Sequence, residues 1–214
     1  MTPAPALAGA WIAPEGGQEI LTTVAGEREG LTFYETSTYW EVPLGDDASV
    51  VASPWFEQNY DTVEGWRGEA TLAFKGVILR NGPAVAAMQA GALWVSNPPE
   101  GCSEGGVELR WLGGRSFGDG RFLNIEGAVR GLEGGCNSER IDVSAGFRPR
   151  SNWLVMGQVF FDSPQEGDQV TRAQLTLVRF GESGRGLQIG LRSRVDGGPQ
   201  EAALVVGLWG RPGN

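Results

Sequence analysis

GCSEGGVELRWLGGRSFGDGRFLNIEGAVRGLEGGC, residues Gly101 to Cys136, holds the only two cysteines of the chain, one near each end of two alternating runs. In VELRWLGG, Val107, Leu109 and Trp111 fall on one face and Glu108 and Arg110 on the other. In RFLNIEGAV, Leu123, Ile125 and Val129 oppose Asn124 and Glu126. Period-two alternation on both sides of a glycine-rich turn reads as an antiparallel hairpin. Paired residues must share a face, so a two-residue loop is excluded: it would set Trp111 against Ala128. A three-residue loop, Gly118–Asp119–Gly120, puts glycine where a left-handed residue is needed and pairs Phe117 with Arg121. Trp111 then opposes Gly127, Leu109 opposes Val129, and Glu108 meets Arg130 as a favourable cross-strand charge pair. Carried upward, this register sets Cys102 across from Cys136, within disulfide reach. The expected role is a staple over the open end of the hairpin, formed in an oxidising compartment.

The same pattern extends along the 214 residues. ERIDVSAGF sets Ile141, Val143 and Phe147 against Arg140 and Asp142, and RGLQIGLRSR sets Leu187, Ile189 and Leu191 against Gln188, Arg192 and Arg194. Twelve strands are predicted, beginning near Trp11, Leu31, Ser49, Gly68, Ala84, Gly106, Arg121, Glu139, Asn152, Val170, Gly186 and Glu201. The Ala-rich run Ala84–Trp94 is the one place where a helix competes. Short connections at 45–47, 81–83, 118–120, 149–151 and 182–184 alternate with longer ones at 25–30, 59–66, 96–106, 132–139, 162–168 and 195–200. Even strand number and two unlike rims fit an up-and-down antiparallel transmembrane β-barrel, with both chain ends on the short-turn rim. Residues 11–210 read as a single barrel domain, 1–10 as a tail or the remnant of a signal peptide, and 211–214 as a C-terminal tail.

Composition narrows the function classes. The net charge is −9, with sixteen Arg and one Lys, Lys75, and no basic run, so no nucleic-acid partner is expected. Histidine is absent, which removes His bases, His-activated nucleophiles and His metal ligands together. No apolar run is long enough for a spanning helix. The opening MTPAPALAGAW lacks the basic and apolar parts of a signal peptide, although APALA before Gly9 resembles the tail of a cleavage region. Export therefore requires a signal peptide not present in the given sequence.

Alternation alone fits a soluble sandwich as well as a membrane barrel, since the second is the first turned inside out. Strands of ten residues or more and tryptophans near strand ends (Trp11, Trp40, Trp66, Trp153, Trp209) favour the membrane, the tryptophans as an interfacial girdle. A resemblance points the same way. GAWIAPEGGQ, ELRWLGGRSFGDGRFLNIEGAVR, RIDVSAGFRPRSNWLVMGQVF and the closing LVVGLW resemble a porin-like family of proteobacterial outer-membrane β-barrels, most clearly over residues 105–210. The resemblance implies a Gram-negative outer-membrane barrel with a transport or structural role and no catalytic residues. It also implies contact with membrane lipid and lipopolysaccharide, and handling by the barrel-assembly machinery. Such barrels usually end on an aromatic residue, whereas here Trp209 is followed by GRPGN.

Candidate lumen-lining residues are Glu35, Glu41, Glu57, Glu69 and Lys75 on early strands, Glu108, Arg110, Glu126 and Arg130 on the central hairpin, and Arg140, Asp142, Arg148, Arg172, Arg192 and Arg194 on later ones. Acidic early and basic late strands predict either a field across an open lumen or a plug of salt bridges that fills a narrow barrel. Inward Phe122, Leu154, Met156 and Phe160 are placed to obstruct it. Glu108 and Glu126 could form a carboxylate pair of the glycosidase kind, but each has an arginine neighbour, so the pair reads as structural. Asp46 and Asp47 resemble calcium ligands but equally suit a tight turn. No enzyme, cofactor or metal site is expected. The leading expectation is a passive channel for small polar or charged solutes. The alternatives are a non-conducting structural or surface-binding barrel and a soluble all-β carbohydrate-binding domain.

Overall fold

The computed structural model describes residues 9–58, 65–98, 100–164, 169–198 and 200–210. Twelve strands follow one another: β1 (Gln18–Arg28), β2 (Leu31–Pro43), β3 (Ala48–Gln58), β4 (Trp66–Asn81), β5 (Ala84–Ser96), β6 (Gly105–Ser116), β7 (Phe122–Leu132), β8 (Cys136–Arg150), β9 (Trp153–Pro164), β10 (Val170–Phe180), β11 (Gly186–Arg194) and β12 (Glu201–Gly210). Each pairs antiparallel with its sequence neighbours, and β1 pairs with β12, so the sheet closes into a barrel without a free edge. The Ala-rich run Ala84–Trp94 lies in β5. Its alternation (Val85, Ala87, Gln89 and Leu93 inside, Met88 and Trp94 outside) outweighs the helix preference of alanine.

The outward face is apolar. Leu72, Val107 and Leu191 are 62%, 66% and 67% exposed, and Phe74, Trp94, Trp111, Ile125, Ile141, Phe161, Leu175 and Leu208 share that face. A continuous apolar wall of this kind belongs in hydrocarbon, which excludes the soluble sandwich. Strands of 9 to 16 residues suit tilted spans.

The central hairpin has the predicted register, with Glu108 opposite Arg130, Leu109 opposite Val129 and Trp111 opposite Gly127. The Phe117 N–H donates to the Arg121 carbonyl at 2.8 Å, and Gly120 takes φ +82°. A Cβ on Gly127 would stand 2.1 Å from the Trp111 ring, so the indole lies over a position that only glycine leaves open. Cys102 and Cys136 form the disulfide, with Cα atoms 5.8 Å apart. The route differs from the simple upward extension of the hairpin. The β6–β7 ladder stops at Gly106 and Leu132, and Cys136 already begins β8 opposite Leu132. The chain reverses through Gly134 and Gly135, both at left-handed φ, so the bond joins the β5–β6 loop to the first residue of β8.

Three sequence expectations change. The first strand starts at Gln18, not near Trp11. Residues 25–28 belong to β1, and the connection is the two-residue turn Glu29–Gly30, with φ of 53° and 81°. This is the I′ pattern that matches strand twist. The β7–β8 link is likewise three residues, so the two rims differ less strictly than the sequence suggests. Most of the loops predicted at 59–66 and 162–168, and the tail beyond Gly210, lie outside the described residues.

Candidate functional site: the barrel interior

Strand register sets which side chains enter the barrel. Glu35 and Glu57 are paired across β2 and β3, and Arg172 and Arg194 across β10 and β11. Glu41, Glu69, Lys75, Glu108, Arg110, Glu126, Arg130, Arg140, Asp142 and Arg192 occupy the same inward set. Arg148 follows a register shift in β8 and sits at the short-turn mouth, its guanidinium 4.9 Å from the Phe180 ring centre. Arg194 is drawn to the opposite rim, where it binds Asp196 at 2.6 Å.

The inward charges join into two chains of ion pairs towards the longer-loop rim. In one, Arg28 bridges Glu57 at 2.7 Å and Glu201 at 3.0 Å. Glu201 also meets Arg192 and Arg172, and these continue to Glu35 at 2.6 Å and Asp162 at 3.0 Å. Arg140 extends the chain between Asp162 and Asp142. In the other, Arg67 and Arg130 flank Glu69, Arg130 reaches Glu108 at 2.6 Å, and Arg110 bridges Glu108 and Glu126. The two glutamates considered as a catalytic pair are thus held by a shared guanidinium.

Sequence order misleads about the field. Acidic early strands and basic late strands are distant in sequence, but closure through β1 and β12 makes them neighbours. Arg192 reaches Glu35 across that seam, 157 residues apart. Glu201 and Asp162, hubs of the first chain, are missing from the sequence-derived candidates. Their signal was available: each stands at inward parity at a strand end, beside arginines.

Towards the short-turn rim the interior is dry. Leu154, Met156, Val178 and Trp209 are buried together, with Ile20, Phe122 and Phe180 packed against them. Leu154 and Met156 therefore fill the interior as their positions predicted. Trp209 is not a girdle residue: it turns inward and donates to Gln188 Oε1 at 2.6 Å. Trp40 and Trp66 do face outward, Trp66 stacking on Phe56.

The opposite wall of this half is covered by residues 9–17, which form no strand. Ala10 is fully buried against Val85, Ala87 and Leu112, with Trp11 beside it. Lys75 Nζ donates to the carbonyls of Gly9 (3.0 Å) and Trp11 (2.7 Å) and pairs with Glu41 at 2.7 Å, both side chains wholly buried. Glu41 also accepts from Ser49, Tyr39 and the Ala13 N–H. Ala10 N–H donates to Asn124 at 3.2 Å. Residues 9 and 10, expected in a tail, and Trp11, expected in a strand, are therefore interior filling.

The NanC porin aligns at a TM-score of 0.65 and 14% identity, covering 88% of this chain and 98% of that one. The KdgM porin aligns at 0.64 and 4%, covering 89% and 97%. The COG4313 outer membrane channel from Pseudomonas putida aligns at 0.62 and 10%, covering 95% and 98%. The fold is that of an outer-membrane porin. No family model matches the sequence, and no curated protein does. Among the described residues no group of acidic, His or Cys side chains could hold a metal ion, and Asp47 is engaged by Arg80 at 2.8 Å.

Proposed function

We propose that this barrel is an outer-membrane channel for small polar or charged solutes, entered through a vestibule of arginines and carboxylates at the longer-loop end. The observation that carries this reading is the partial accessibility of the interior charges there. The Arg67, Arg140 and Asp162 side chains keep 36%, 36% and 33% of their surface open, whereas Glu41 and Lys75 keep none. Alternating fixed charges in a confined, partly wet space favour solutes that can exchange water for charge-assisted hydrogen bonds. The apolar outer wall supports a place among membrane lipids, with lipopolysaccharide at the longer-loop side. Insertion by the barrel-assembly machinery belongs to the same reading.

Conductance of purified protein in a planar lipid bilayer tests it. Discrete current steps, altered in ion preference by Arg140→Gln, are expected. A barrel that shows heat-dependent mobility in SDS yet passes no current in any variant overturns the channel. The second reading, a non-conducting structural or surface-binding barrel, draws support from the fully buried Leu154, Val178 and Lys75–Glu41 group across the short-turn half.

A further inference from the structure

We infer that residues 9–17 are a releasable stopper for the short-turn mouth, docked in a built seat, latched by Lys75 and hinged at Gly16–Gly17. The inference rests on the channel reading and adds a gate to it.

Inward positions at this end of β5 and β6 are Val85, Ala87, Leu112 and Gly114, with Ala10 and Trp11 packed among them. A Cβ on Gly114 would lie 2.5 Å from the Trp11 ring, so the missing side chain is what admits the indole. A glycine facing a barrel interior with another chain segment against it marks a place of close approach.

The latch is polar and specific to the segment's backbone. Lys75, the only lysine in the sequence, spends two donors on the carbonyls of Gly9 and Trp11. Glu41 and Asn124 accept the N–H groups of Ala13 and Ala10. The wall supplies this buried lysine with Glu41 and the Tyr39 hydroxyl, but the two carbonyl acceptors lie on the separate segment, so its donors are fully met only when the segment is docked.

The hinge allows release without breaking the barrel. Among the described residues, 9–17 make no ladder bond, so withdrawal leaves the twelve-strand sheet intact. Gly16 and Gly17 stand between the docked part and β1 with φ of 87° and 79°, values that strain other residues but leave glycine free to rotate. The Gly17 N–H bonds the Pro14 carbonyl, which turns the chain back into the lumen.

The test uses the full chain with its native disulfide formed. Ala10→Cys places a thiol at a fully buried position, and a membrane-impermeant maleimide reads its exposure in liposomes. Gly114→Leu fills the seat, and Trp11→Ala empties it without adding volume. Heat-dependent SDS mobility confirms that each barrel is folded. The expected result is slow labelling in the Ala10→Cys parent, about tenfold faster labelling when either seat variant is added, and a matching rise in bilayer conductance. Fast labelling in the parent overturns docking. Fast labelling in the seat variants, with parent and variants conducting equally, overturns the stopper while the channel stands. Fast labelling with no current in any variant overturns the channel reading, and the gate with it.

Discussion

The two halves of the barrel interior use the same residue types to opposite ends. Near the longer-loop rim, arginines and carboxylates share partners, and most keep some contact with water, as Arg140 and Asp162 do. Near the short-turn rim, one Lys75–Glu41 pair is fully enclosed, and its remaining bonds go to Tyr39 and Ser49 of the wall and to the backbone of residues 9–13. Most charges in the first half, Glu201, Glu108, Arg172 and Arg130 among them, have more than one counter-charge. A charge in the second has a single counter-charge. Redundancy allows a polar lining to accommodate a solute, whereas a single closed arrangement makes a plug.

The two halves should differ in what a lost charge costs the fold. Lys75→Met leaves Glu41 enclosed without its counter-charge and is expected to cost about 3–5 kcal/mol, the usual penalty for breaking a buried pair. Denaturant unfolding of the detergent-extracted barrel measures it. Leu154→Ala, at a position with no exposed surface, opens a cavity against Met156, Val178 and Trp209 and is expected to cost about 2–5 kcal/mol by the same measurement. Arg172→Gln should cost only about 1–2 kcal/mol, because Glu201 keeps Arg28 and Arg192 and Asp162 keeps Arg140. If it costs as much as Lys75→Met, the redundancy of the wet half is wrong.

The smallest effect lies outside the membrane span. Asp196, in the β11–β12 loop, accepts from Arg194 and from the N–H groups of Thr171 and Gly198, which hold its carboxyl at about 2. Since this lies below the ordinary value, the loop's stabilisation is complete above about pH 4 and drains as pH falls towards 2. Protease nicking of the loop should rise over that window and become flat in Asp196→Asn. The group lies in an exposed surface loop, so global stability should barely respond.

Much of the wall was legible because its rules are local. Alternation located the strands, and the GDG turn fixed a register that brought Glu108 to Arg130 and led to the correct cysteine pair. What failed was non-local or aperiodic. Nothing near Glu35 announces Arg192, because closure alone brings them together. AGER looked like loop because Glu27 and Arg28 are polar, although Arg28 at inward parity followed by Glu-Gly was a hairpin signal. The segment around Ala10 carries no periodicity, and its small residues resemble a cleavage region. Its one clue was on the other side of the contact: a lone lysine at an inward position of a barrel end, with more donors than the neighbouring strand residues satisfy.

The Cys102–Cys136 bond also bears on the order of assembly. It encloses a local stretch with a sequence separation of 34, whereas the β1–β12 pairing joins residues such as Glu19 and Gly210 at opposite ends of the chain. Loop-closure entropy therefore favours early formation of the β6–β7 hairpin and delays the seam. Once oxidised, the chain carries that hairpin and the start of β8 as a tethered seed whose entropy cost is already met before insertion. Oxidation before membrane entry should then speed barrel closure without altering the final fold, a kinetic role for a bond that looks purely mechanical in the finished barrel.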